Sequence, residues 1–116
     1  MNLYHCMIDL KNDAKAISFA KAMGDWMEHL QSTGHIGNWR LMRRKLDLAS
    51  NAHRDFMLEI EVANLSELDA MFGYVSSNAD QVDELYDKVH QLIATVDYGL
   101  YRPFPDPERV ERAAIV

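Results

Sequence analysis

Between Phe56 and Ala63 the sequence alternates without a break. Phe56, Leu58, Ile60 and Val62 form one row, and Met57, Glu59, Glu61 and Ala63 form the other. Successive strand side chains point to opposite faces, so this segment is a β-strand with one wholly apolar side and one mixed side. The apolar row must be covered, and the rest of the chain supplies the cover in a readable order.

Three other segments share the period of two. Asn2–Asp9 sets Leu3, His5 and Met7 against Tyr4, Cys6 and Ile8. Ile36–Leu48 sets Trp39 and Leu41 against Arg40 and Met42, and a last strand spans about Thr95–Arg102. Between them the spacing lengthens to three and four. Asp13 stands at an N-cap position before a helix to about Ser32, with Ile17, Ala20, Met23, Met27 and Leu30 as its apolar stripe. Gly24 inside that stripe marks a close approach to a sheet, and Gly34 sits where a C′ residue closes a helix. Residues 49–54 read as a loop. Ser66 and Asp69 read as a capping box opening a second helix through Leu68, Met71, Phe72 and Val75. An interruption at 76–78 precedes a further helical piece through Val82, Leu85, Tyr86, Val89 and Ile93.

The order β-α-β-β-α-β predicts a ferredoxin-like α+β fold. Its four-stranded antiparallel sheet has order 4-1-3-2, with the helices on one face and a right-handed split crossover. The domain covers residues 1–102. A tail, 103–116, holds all three prolines, Pro103, Pro105 and Pro107, which disfavour continuation of the sheet; Glu108–Ala114 has room for one short helix. The face away from the helices carries Leu3, His5, Met7, Met57, Glu59, Glu61 and Tyr101. That is too apolar for water, and a second copy packed sheet to sheet, a homodimer, is the economical cover.

Length and charge exclude several classes. A chain of 116 residues and 13.4 kDa holds one domain. The net charge of −6 divides into +3 over residues 1–54 and −9 over 55–116. The one basic cluster, Arg40, Arg43, Arg44 and Lys45, is small, so no nucleic-acid partner is expected. No apolar run approaches a membrane span or a signal h-region, so neither membrane insertion nor secretion is expected. The single cysteine, Cys6, rules out an internal disulfide and fits a reducing cytoplasm.

Three passages carry a resemblance: HCMIDLK at 5–11, LEIEVANLSELDAMF at 58–72 and VDYGLY at 96–101. Together they resemble the dimeric α+β barrel superfamily, in particular its stress-responsive and ferredoxin-like dimer branches. The resemblance implies a homodimer whose two sheets form a barrel, with a cleft in each protomer. Members include cofactor-free monooxygenases, lactone isomerases, haem-dependent enzymes and proteins of no assigned activity. Stress-responsive members often carry a His early in the latter half of the second helix. Here Ser77-Asn78-Ala79-Asp80 stands instead, and a site built on that His does not carry over.

Candidate chemistry gathers on the open face. His5 projects from a central strand, where an imidazole can move a proton or hold a ligand. In the expected sheet order it neighbours Glu59, and a carboxylate beside an imidazole orients the ring. Glu59 and Glu61 need partners; cross-strand pairing with Arg40 and Arg44 accounts for them more economically than acid–base catalysis. Tyr101 completes the catalytic candidates, and Met7, Trp39, Arg40, Met57 and Glu61 are the candidate ligand contacts. Of the aromatics, Trp26, Phe72, Tyr86 and Tyr98 fall on apolar stripes and read as core. Cys6 reads as a small core residue. The five histidines, His5, His29, His35, His53 and His90, lie on four different elements or loops without ligand spacing, so no metal is expected, and no cofactor is expected either. No Gly-rich phosphate loop or nucleophile elbow is present.

The function expected is binding of a small, largely apolar molecule in a cleft between helices and sheet. An alternative is a cofactor-independent monooxygenase or isomerase of a cyclic or aromatic substrate, with His5 and Tyr101 handling protons. The other is a structural interaction module whose cleft is filled by side chains.

Overall fold

The computed structural model describes residues 1–46, 48, 50–77 and 79–105. Four strands, β1 (Asn2–Leu10), β2 (Trp39–Arg43), β3 (Phe56–Val62) and β4 (Ile93–Tyr101), pair antiparallel in the order β2-β3-β1-β4. This is the ferredoxin-like sheet expected from the sequence. The helices α1 (Ala16–Ser32), α2 (Leu65–Val75) and α3 (Asp80–His90) lie on one face, with α1 packed on α3. The expectation of a short helix over 108–114 lies outside the described residues, as does most of the tail. Among the described residues no helix is long and apolar enough to cross a membrane.

The core forms where the apolar rows meet. Phe56, Leu58, Ile60 and Val62 of β3 and Cys6, Ile8 and Leu10 of β1 are buried against Phe19, Met23, Trp26, Met27 and Leu30 of α1 and Val82 and Val89 of α3. The α1 stripe is as expected at Met23, Met27 and Leu30 and differs at its first two positions, Ile17 and Ala20, which are exposed. Ile17 is 84% exposed, and Ala16, Phe19 and Trp26 take the inward positions. A 3-10 turn at Asp13–Lys15 precedes the helix. It is capped by Asn12, not Asp13, whose side chain accepts from the Ala14 amide at 3.0 Å, and the α-helix proper begins only at Ala16.

The second helix is also capped earlier than expected. Asn64 accepts from the Glu67 amide at 2.9 Å, and Glu67 reaches back to the Ala63 amide at 3.0 Å. The reciprocal logic of a capping box is therefore built on Asn64 and Glu67, with Ser66 and Asp69 uninvolved in it. The interruption after Val75 stands as expected, but α3 ends at His90, and Ile93, expected on that helix, opens β4 instead.

β2 is shorter than its pattern. Gly37 and Asn38 still bond to the Glu61 backbone, at 2.8 Å each, before the strand starts. After Arg43 the chain leaves the ladder, and Leu46 turns through a positive φ of 55°. Gly34, at φ 79°, closes α1 as expected. Gly24 faces the sheet: an ideal Cβ there would lie 3.9 Å from the Trp39 ring.

Candidate functional site

A cavity of about 180 Å³ lies between the sheet and the helices. Its floor is Tyr4, Cys6 and Ile8 of β1, Leu58 and Ile60 of β3, and Val96 and Tyr98 of β4. Its roof is Met23, Trp26, Met27 and Leu30 of α1, and Met71, Phe72 and Val75 of α2. Tyr86 and His90 of α3 and Ile93 at the start of β4 complete the lining. Cover fails towards the edge strand β4, where Tyr98 and Leu100 point to the helix side yet are 59% and 42% exposed. Tyr74 ties the α2 wall to α1: its hydroxyl lies 2.6 Å from His29 Nε2, and its ring stacks on His35 at 4.0 Å.

Aromatic rings frame the cavity. Tyr4 meets Phe72 edge-on at 5.6 Å and stacks on Tyr98 at 5.9 Å. Tyr86 stacks on His90 at 3.7 Å and turns its plane 88° to Trp26. Both geometries are the favoured ones for ring quadrupoles, so the frame is packed, not merely crowded.

Three polar groups on the sheet side, Tyr4, Cys6 and Tyr98, are held neutral. Burial raises the Tyr4 phenol well above its ordinary value, with the neighbouring Cys6 and Tyr98 adding to the shift. Burial likewise pushes the Cys6 thiol up to about 11, against a hydrogen bond from Tyr4 that lowers it, and raises the Tyr98 phenol. These groups are hydrogen-bond donors and poor bases near neutrality.

The opposite face is different. His5 stands directly across from Glu59, as the strand order required, and Met7 across from Met57. Glu59, however, takes its ion pair from Arg40 on β2. His5 rests against Tyr101, ring centres 4.9 Å apart, and flat over Gly99, where an ideal Cβ would sit 2.5 Å from His5 Nε2. At one end Arg54 bridges Asp9 at 2.9 Å and Asp97 at 2.8 Å, while the Asp55 amide donates to Asp9 at 3.0 Å. Beside this network Met7, Met42, Met57 and Leu48 line an open groove with Arg43, Arg44, His53 and Arg54.

The open face thus brings together His5, Glu59, Tyr101, Met7, Arg40, Met57 and Glu61, and none of these lines the cavity. Trp39 corrects the expectation. It pairs with Ile60 and sits on the helix side against the core, because β2 runs with Trp39 and Leu41 in phase with Ile60 and Leu58. Arg44 pairs with Asp55 at 2.7 Å. Phe72, Tyr86 and Tyr98, read as core, are 43%, 37% and 59% exposed at the cavity. The signal for them was present: tyrosines on apolar rows carry hydroxyls that a filled core would have to satisfy. Among the described residues no group of three His, Cys, Asp or Glu side chains is placed to hold a metal ion.

Solved structures share this architecture. A DABB family protein with a ferredoxin-like fold from Mesorhizobium loti superposes with a TM-score of 0.64 at 13% identity, over 89% of this chain and 96% of that one. A dimeric ferredoxin-like protein of unknown function from Thermobifida fusca gives 0.61 at 10% identity, over 89% and 92%. A cofactor-independent oxygenase from Streptomyces nogalater gives 0.65 at 7% identity, over 90% and 97%. At these identities the likeness shows the fold. No curated protein matches the sequence significantly. The match of a family model over residues 1–116 makes the chain a member of the family of unknown function DUF6614.

Proposed function

We propose that this protein binds one compact, largely apolar molecule in the cavity between helices and sheet. The observation that carries this reading is the cavity itself, about 180 Å³ bounded by apolar and aromatic side chains in the middle of the core. Interiors otherwise pack to crystal density, and an apolar void of roughly 150 Å³ takes up benzene. A cleft filled by its own side chains would not leave this space.

Binding is favoured over acid–base catalysis by His5 and Tyr101 because both lie on the far side of the sheet from the cavity. The same far side supports a homodimer. Leu3, Met7, Met57 and Tyr101 leave it apolar, and a sheet-to-sheet pair of on the order of 800 Å² per partner would cover it. A reduced Cys6 inside the cavity fits a cytoplasmic setting.

Trp26 lines the cavity and Trp39 does not, so a Trp39→Phe protein reports on the site through one fluorophore. Titration with toluene should change Trp26 emission saturably. Val96→Phe, which places a ring in the space, should abolish the response while the protein stays folded by circular dichroism. A linear, unsaturable response in the parent protein would contradict the reading.

A further inference from the structure

His90 ends α3 at the cavity wall, and its two ring nitrogens are not equivalent. Nδ1 lies 2.9 Å from the Tyr86 backbone oxygen. A carbonyl only accepts, so Nδ1 carries the proton and donates, which in the neutral ring leaves Nε2 as a bare lone pair. Nε2 has no hydrogen-bond partner among the described residues. The ring is held flat on Tyr86, planes 13° apart, and Tyr86 is itself set against Trp26. One backbone bond and one stack therefore fix both the tautomer and the plane of a half-buried acceptor.

The lining tyrosines, Tyr4, Tyr86 and Tyr98, carry hydroxyls that can donate and, unlike an imidazole lone pair, accept only weakly. Tyr4 and Tyr98 present O–H groups from the sheet, and their phenols stay protonated. A ligand entering past β4 meets neutral donors on the floor and an imidazole acceptor on the α3 side. The imidazole is the only ring nitrogen acceptor among the described lining residues, since Trp26 N–H donates only.

We propose that His90 is the specificity-determining residue of the cavity, its Nε2 accepting a hydrogen bond from a ligand O–H, so that the site prefers a compact aromatic alcohol to the matching hydrocarbon. This rests on the cavity reading above and adds to it the polar group of the ligand and the residue that reads it. A neutral hydrogen bond of this kind supports about three- to tenfold discrimination.

The test compares phenol with toluene by Trp26 fluorescence in the Trp39→Phe protein. In His90→Phe, which keeps a ring to stack on Tyr86 but removes the acceptor, the phenol-to-toluene preference should fall about three- to tenfold while toluene affinity holds. His90→Gln, which retains an acceptor, should keep most of the preference. A preference unmoved by His90→Phe overturns the role of His90 and leaves the cavity reading intact. Failure of both probes to bind the parent protein overturns the two together.

Discussion

The two faces of one sheet solve the problem of polar groups in opposite ways. On the open face most charged side chains are ion-paired: Arg40 with Glu59, and Arg54 with Asp9 and Asp97. On the helix-covered face the polar side chains of the sheet are phenols and a thiol, kept neutral by burial. The alternation that separates Met57 from Leu58 also separates these two chemistries. An ion-paired, methionine-lined surface suits another protein surface, where charges fix register and thioethers adapt. A neutral aromatic cavity suits a small molecule, which enters without the cost of burying a charge. The residues most conspicuous to a search for catalysis, His5 and Glu59, belong to the first.

Charge placed on either side of that divide separates the two roles most sharply. Leu58→Lys puts an ammonium in the core and should cost about 4 kcal/mol or more in urea unfolding. Met57→Lys, one residue away on the open face, should change monomer stability by about 1 kcal/mol or less, yet reduce the sedimenting mass to 13.4 kDa from twice that. Equal losses of stability in the two variants would break the comparison.

Gly99→Ala is confined to the open face. Its Cβ would meet the His5 ring, so His5 must move, at about 1–3 kcal/mol. Dimer affinity should fall, and toluene binding in the cavity should not.

Acid sharpens the same contrast. Burial alone would raise the Asp9 carboxyl, but the Asp55 amide and Arg54 outweigh it and hold it below its ordinary 3.8. A carboxyl lowered on folding stabilises the native state above its unfolded value, and that contribution is lost as pH falls through the folded one. Thermal melts should therefore drop as pH is taken below about 3.8, and Asp9→Asn should flatten this limb.

Base acts on the cavity face. The Cys6 thiol, raised to about 11, contributes stability that is complete below its ordinary 9.0 and fades as pH rises through about 11. Iodoacetamide at pH 8 should label it far more slowly in the folded protein than in urea, and toluene should slow it further. Labelling at the unfolded rate would contradict its burial.

The sheet was legible because a period of two leaves little freedom. Once Phe56–Val62 and Asn2–Asp9 each showed an apolar row, the pairing of His5 with Glu59 followed from topology. Helix phase was less legible. A three-residue 3-10 turn sets the start of α1 at Ala16, and in the first turns of the helix Ala16 and Phe19 face the core in place of Ile17 and Ala20. Trp39 shows the same weakness at a strand edge, where large aromatics fit either face. The cavity was least legible. A void is the difference between the space between elements and the side chains that fill it, and residues such as Trp26 and Met71 look alike in either case.

The methionines give the most direct test of the division of labour between the faces. Met23, Met27 and Met71 line the cavity, while Met7, Met42 and Met57 line the open face. With their methyl groups labelled with carbon-13, titration with toluene should shift the first three resonances saturably and leave the second three in place. Shifts concentrated on Met7, Met42 and Met57 would move the binding site to the open face and contradict the account.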